Sequence, residues 1–137
     1  MTDRNNLPIF AEEIFIQNPT SQINSLEELL QLYYPSSLTK RIELNEAFLV
    51  QAKKWSDRVL DFSFYSDLEH LEANAEGEIR RINVSKNKGL KVLILPNQEL
   101  EGTLDLRHNS KLEKINITKN LLNSLKVHSD VYPNTRN

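Results

Sequence analysis

Cysteine is missing from all 137 residues. Its absence excludes disulfide staples, thiolate metal sites and a thiol nucleophile within the chain. It leaves the compartment open, because extracellular proteins are not obliged to carry disulfides. An excess of one charge is missing too: 17 basic residues stand against 19 acidic ones, without the basic character of a typical nucleic-acid-binding domain. No apolar run approaches the ~18 residues that a membrane span requires. The first residues, MTDRNNLPIFAEE, lack a basic head followed by an apolar stretch and a small-residue cleavage site. No signal peptide is expected on that ground, and a soluble, cytoplasmic protein or an excised domain is. The length suits one domain, which buries roughly two-thirds of its unfolded surface.

What the chain does contain is a rhythm. From Ile79 to Asp130 it repeats about every eleven residues, in the units IRRINVSKN, LKVLILPNQ, EGTLDLRHN, LEKINITKN and LNSLKVHSD. Each unit is apolar at its fourth and sixth positions: Ile82 and Val84, Leu93 and Leu95, Leu104 and Leu106, Ile115 and Ile117, Leu125 and Val127. That alternation is the mark of a strand with one buried face. The ninth position is an amide or acid every time: Asn87, Gln98, Asn109, Asn120 and Asp130. A polar residue at a fixed offset after each strand marks a turn that recurs. Weaker copies precede these units at Asp57–Ser63 (Leu60, Phe62) and Leu68–Asn74 (Leu68, Leu71, Ala73), and Leu38–Asn45 already alternates at Ile42 and Leu44. The chain's glycines, Gly77, Gly89 and Gly102, are all expected between strands, where a corner needs positive φ or close backbone approach.

Upstream, Ile14 and Ile16 alternate in what reads as a short strand on an N-terminal arm. Ile23–Tyr34 reads as a helix. Ser25 and Glu28 make a capping box, Leu26, Leu29, Leu30 and Tyr33 form one apolar face, and Pro35 stops it. Its natural place is over the open first coil of the array. A second short helix is expected over Asn45–Ser56, capped by Asn45 and facing inward with Phe48, Ala52 and Trp55. Trp55, the chain's single tryptophan, is read as a core anchor, with a binding role as the alternative. After Asp130 the chain reads VYPNTRN, with no capping helix. The last coil is therefore expected to expose apolar surface and unpaired strand groups, covered by further chain or by a second molecule. The expected organisation is an arm at 1–22, a helical cap with a degenerate first repeat at 23–56, the repeat array at 57–131 and a tail at 132–137.

The pattern L-x-x-L-x-L-x-x-N in LKVLILPNQELEGTLDLRHN and LEKINITKNLLNSLKVHSD resembles the consensus of the leucine-rich repeat family. The likeness is to short repeats of about 21–22 residues made of two halves, clear from about Leu68 to Asp130. Gln98 and Asp130 depart from asparagine, Ala73 is small, Glu101 breaks the first apolar position, and the last unit starts one residue early. The resemblance implies an α/β fold: a right-handed solenoid of parallel strands stacked about 4.8 Å apart, with an N-terminal helical cap. The units starting at Leu68, Leu90 and Leu112 are assigned to the principal sheet. Those starting at Asp57, Ile79, Glu101 and Leu122 are assigned to the opposite side. The ninth-position amides then have a structural task, Asn87 stacking with Asn109 and Gln98 with Asn120, each both donating and accepting in buried turns.

If positions four and six are buried, the principal side presents His70, Glu72 and Asn74, then Val92, Ile94, Pro96 and Asn97, then Lys114, Asn116, Thr118 and Lys119. Val92 and Ile94 are β-branched, apolar and outward, flanked by Lys91 and Lys114. That is the composition of an interaction hot spot, and we expect His70, Glu72, Val92, Ile94, Asn97, Lys114, Asn116 and Lys119 to meet a partner protein. The alternatives are cover by the second helix or the arm, or simple β-propensity. On the opposite side Asp105 beside Lys126 suggests a cross-strand pair. Arg107, His108 and His128 suggest a cationic cluster able to hold an anion, against the reading of a plain solvated strand face. The three histidines show no H-E-x-x-H spacing, and no serine sits in a nucleophile elbow. Asp61 and Glu72, the one acid pair that suggests sugar hydrolysis, belong to opposite sides of a coil. No metal, cofactor or catalytic residue is expected. Neither nucleic acid nor membrane is an expected partner. The expected function is a protein-binding module that displays a rigid strand face, with self-assembly through the uncapped C-terminal coil as the rival.

Overall fold

The structure is a computed structural model and describes residues 23–131. The arm with its Ile14–Ile16 strand and the 132–137 tail lie outside the described residues. In order, the elements are α1 (Leu26–Tyr33), β1 (Arg41–Leu44), α2 (Glu46–Ala52), β2 (Val59–Asp61), β3 (His70–Ala73), β4 (Arg81–Asn83), β5 (Val92–Ile94), β6 (Glu101–Leu106), β7 (Lys114–Asn116) and β8 (Leu121–Val127). Odd strands stack as a parallel four-stranded sheet in the order β1-β3-β5-β7. Each even strand lies across the coil from its odd predecessor. The result is a solenoid of stacked parallel-strand coils, mostly strand, with its two helices confined to the first coil. The class is thus a β-solenoid more than an even α/β mixture.

Most of the expected slots are buried, while Ile82, Leu125 and Val127 are only partly so. Ile42, Leu60, Leu71, Leu93, Leu95, Leu106, Ile115 and Ile117 lie in the core. Leu93, on the central strand β5, pairs with Leu71 on one side and Ile115 on the other. A slip of one residue would bring Val92 and Ile94 inward and expel Leu93, so the buried row fixes the register.

Both helices form where their caps place them. Ser25 Oγ accepts from the Glu28 N–H at 3.1 Å, while Glu28 Oε1 reaches one residue past the cap and accepts from the Asn24 N–H at 2.7 Å. Asn45 Oδ1 accepts from the Phe48 N–H at 2.9 Å. The stripe Leu26, Leu29, Leu30 and Tyr33 is buried, with Tyr33 meeting Phe48 edge to face at 5.3 Å. α1 packs on α2 and β2. Trp55 is half-buried against the core, its Nε1–H donating to Asn24 C=O at 3.3 Å.

Three expectations need correction. The opposite side of the coil is not one sheet: it splits into β2-β4 and β6-β8. Gly102 is not between strands but inside β6, at φ +68. These share a cause. The Glu101 N–H still donates to Arg80 C=O at 3.1 Å. The next residue adopts a left-handed conformation open to glycine, and β6 turns away from β4 to pair with β8. The third correction is confined to the first position of the last unit, since its later positions pair as expected. Leu121, not Leu122, sits opposite Glu101, and the register shifts past Gly102 so that Thr103 meets Ser124. Asn123 is the extra residue of a β-bulge, past which Leu104 meets Leu125 and Leu106 meets Val127, slot for slot.

Candidate functional site

The ninth-position amides are built into the coil interior, but by donation alone at two of the four places. Asn87 Nδ2 donates to Phe62 C=O at 3.0 Å and to Tyr65 C=O at 2.8 Å. One coil on, Asn109 Nδ2 donates to Val84 C=O at 3.0 Å and to Asn87 C=O at 2.9 Å. Side chain thus meets main chain, not its fellow amide. The Oδ1 atoms of Asn87 and Asn109 are buried without a partner among the described residues, contrary to the expected two-way use. At the other corner Gln98 Nε2 donates to Ala75 C=O at 3.0 Å, and Asn120 Nδ2 to Leu95 C=O at 2.8 Å. Asn120 Oδ1 also accepts from the Leu100 N–H at 3.0 Å. These amides position the coils and are not a surface.

The outward rows of the four-stranded sheet are Arg41, His70, Val92, Lys114 and Glu43, Glu72, Ile94, Asn116, each aligned residue for residue across the strands. The structure therefore brings His70, Glu72, Val92, Ile94, Lys114 and Asn116 onto one face, with Asn97 and Lys119 at the corner beyond. Both corner residues are left-handed, at φ 58.

That face has two unlike halves. On β1 and β3 every charge has a partner. Arg41 pairs with Glu43 and approaches Glu72 at 3.8 Å. Its Nη1 lies 3.3 Å from His70 Nδ1, while His70 Nε2 lies 2.8 Å from Glu72 Oε1. Because arginine only donates, the neutral ring accepts at Nδ1 and gives its proton toward Glu72. The Arg41 hydrogen bond holds the Glu43 carboxyl below its ordinary range, opposed by some desolvation and helped by Asn74 Nδ2 at 3.3 Å. On β5 and β7 no such network forms. Val92 and Ile94 are half-buried at the centre, and none of Lys91, Lys114 or Lys119 forms an ion pair with a described residue. Of the two helices, α1 takes α2 and β2 as its partners, neither of them in this sheet.

Sequence reasoning left Arg41 and Glu43 off this face, although the alternation at Ile42 and Leu44 already placed them outward. It also missed Tyr34. The Tyr34 hydroxyl donates to Glu43 C=O at 3.0 Å and accepts from the Glu43 N–H at 2.9 Å, occupying backbone groups of the edge strand β1. Tyr65 in turn donates to Tyr34 C=O at 2.8 Å, and burial raises the pKa of both phenols. A further overlooked signal is an acid or amide two residues before a hydroxyl. Asp61 accepts from the Ser63 N–H at 2.9 Å, Asn83 from Ser85 at 3.0 Å and Asn116 from Thr118 at 3.1 Å, each closing the turn after a strand.

The opposite side is less suited to a ligand. Asp105 and Lys126 are register neighbours, yet the Asp105 carboxylate takes Arg107 instead, with Nε at 3.0 Å and Nη2 at 2.8 Å. That pairing, with the Arg107 N–H, pulls the Asp105 carboxyl far below its usual range. His128 Nδ1 accepts from the Asp130 N–H at 3.1 Å, and His108 is exposed. Of the cluster Arg107, His108 and His128, the arginine is therefore already charge-compensated. Where β6 parts from β4, a shallow cleft of about 90 Å³ opens over Ile82, Leu104 and Leu122, bridged by Arg81 and Glu101 at 3.5 Å. Asp61 and Glu72 stand in different sheets. Among the described residues no group of three His, Cys, Asp or Glu side chains is placed to hold a metal ion. No described helix is long and apolar enough to cross a membrane.

Stacked coils with a buried amide ladder and an ordered outward face define a β-solenoid of the kind that repeat proteins build. No family model, no curated protein and no solved structure matches the chain.

Proposed function

We propose that the chain is a short leucine-rich-repeat solenoid that binds another protein through its four-stranded face, without catalysis. The single observation behind this reading is the pair Val92 and Ile94. They are β-branched and apolar, half-buried and outward on the central strand, next to lysines that have no carboxylate partner among the described residues. An interface centre of this kind is depleted of charge and rimmed by it. Rigid display is the mechanism. Parallel strands hold the outward side chains in fixed rows before a partner arrives, so little side-chain freedom is lost on binding. In this reading the coil is right-handed, as crossovers between parallel strands nearly always are, and α1 closes its N-terminal end.

The test compares partner capture by the wild type and by a Val92→Asp/Ile94→Asp double variant of unchanged melting temperature. The variant is expected to lose capture. Undiminished capture, or a footprint confined to the opposite side of the coil, overturns the choice of face.

One observation favours a second reading, self-assembly through the last coil. Leu122, Leu125 and Val127 are only half-buried, Leu121 is 63% exposed, and among the described residues no strand pairs with the outer edge of β8. The occupant would be a second copy. Sedimentation across a concentration series decides it: a Leu121→Lys-sensitive dimer supports the reading, and a monomer throughout removes it.

A further inference from the structure

We infer that the partner of the β5–β7 face is an extended peptide segment with apolar residues at its centre and acidic residues at both ends. This rests on the binding reading above and adds the chemistry of what is bound. The argument is one of charge left over. Along the four-stranded face, the first two coils carry Lys40 and Arg41 against Glu43, Glu46, Glu69, Glu72 and Glu76, and the outward acids Glu43 and Glu72 are tied to Arg41 and His70. The last two coils carry Lys91, Lys114 and Lys119 against Glu113 alone. Of the four lysines named, none forms an ion pair with a described residue, and three of them, Lys91, Lys114 and Lys119, gather around the apolar pair.

Their placement sets the pattern of the ligand. Lys91 precedes β5 and Lys114 sits beside Val92 on the next strand, so both stand at one end of the apolar pair. Lys119 lies past the other end of β7, in a left-handed corner beside Asn97's equivalent turn. Val92 and Ile94 lie between, about 7 Å apart along their strand. Six positions of the unit separate the two lysine ends, so a short segment is enough to reach both. A segment that sets apolar side chains over Val92 and Ile94 brings its flanking residues to the lysines. Acids there gain attraction, and basic residues meet like charge. Asn116 offers little to the ligand through its carbonyl, which is already taken by Thr118.

Selection from a random twelve-residue peptide library displayed on phage tests the inference, with wild-type protein as bait. The variants Val92→Asp/Ile94→Asp, Val92→Thr/Ile94→Thr and Lys114→Glu/Lys119→Glu are run beside it, each checked by thermal melting. The expected result is enrichment of peptides with an apolar centre and acidic flanks. Their affinity should fall roughly tenfold in the lysine variant and weaken again as salt rises, since exposed charges are screened over about 10 Å at 0.1 M. Enriched peptides without acidic flanks, lost in both Val92/Ile94 variants, would leave the face standing and overturn its acidic ligand. No enrichment, or enrichment indifferent to Val92 and Ile94, overturns both. A concentration-dependent dimer abolished by Val92→Asp also overturns the inference, because the occupant is then a second copy.

Discussion

Ile42 and Leu44 in the first coil fill the same two slots of the repeat as Leu125 and Val127 in the last, yet the first pair is 0% and 1% exposed while the second pair is only half-buried. The difference is not in the residues, which are equally apolar. It lies in what stacks on either side. The first coil has β3 on one flank and, on the other, α1, Phe48 and a tyrosine hydroxyl seated on the β1 backbone. The last coil has β6 on one flank. A repeat slot specifies a direction, and only a neighbouring coil or helix turns direction into burial. Solenoid stability is in that sense a sum over nearest neighbours.

The comparison breaks most directly at its two ends. Phe48→Ala is expected to cost about 3–5 kcal/mol, and Leu125→Ala no more than about 1–2 kcal/mol, because a half-buried site loses less transfer energy and leaves no closed cavity. Equal costs in urea denaturation would mean that the two coils are sealed alike. Next in size is the amide ladder. Asn109→Ala strips donors from two buried carbonyls and is expected to cost about 2–3 kcal/mol, more than Asn120→Ala at the half-buried corner. Removing the Tyr34 hydroxyl with Tyr34→Phe orphans one N–H and one C=O of β1 and should cost about 1–2 kcal/mol, which opens the first coil in the way that the last already is.

Smaller effects sharpen the backbone side. Gly102→Ala forces a side chain onto φ +68 and is expected to destabilise by about 1 kcal/mol, although nothing lies within 4 Å of the added atom. Lys119→Gly relieves the same strain at φ 58 and should stabilise by about 0.5–1 kcal/mol. The smallest effect is electrostatic. Arg41 lowers the Glu43 pKa on folding, so the native state holds that carboxylate ionised where the unfolded chain begins to protonate it. Its contribution is complete above the ordinary value of 4.5 and is lost as pH falls through the folded value. Glu43→Gln is expected to flatten the acid limb of the stability curve slightly, and an unchanged limb would show the pair to be fully screened.

Much of this was legible beforehand, for a reason tied to particular residues. Period-2 alternation at Leu93/Leu95 and Ile115/Ile117, and caps at Ser25 and Asn45, are local signals, and the elements formed where those signals lay. The assignment of units to two sides followed from counting by twos. The face carrying Val92, Ile94, His70 and Glu72 came with it, because a residue next to a buried one in a strand must point outward.

What the chain alone could not convey were the relations between coils. That β6 leaves β4 after Glu101 depends on one left-handed glycine and one extra residue, Asn123, whose consequences appear only when two strands lie side by side. That Arg107 serves Asp105 in preference to Lys126, and that Arg41 and His70 tie up the acids of one half of the face while the lysines of the other half have no ion pair with a described residue, depends on where side chains of different strands come to lie. Slots and directions are properties of a strand and are written in its alternation. Partners and burial are properties of a stack, and a stack exists only once the coils have closed on one another.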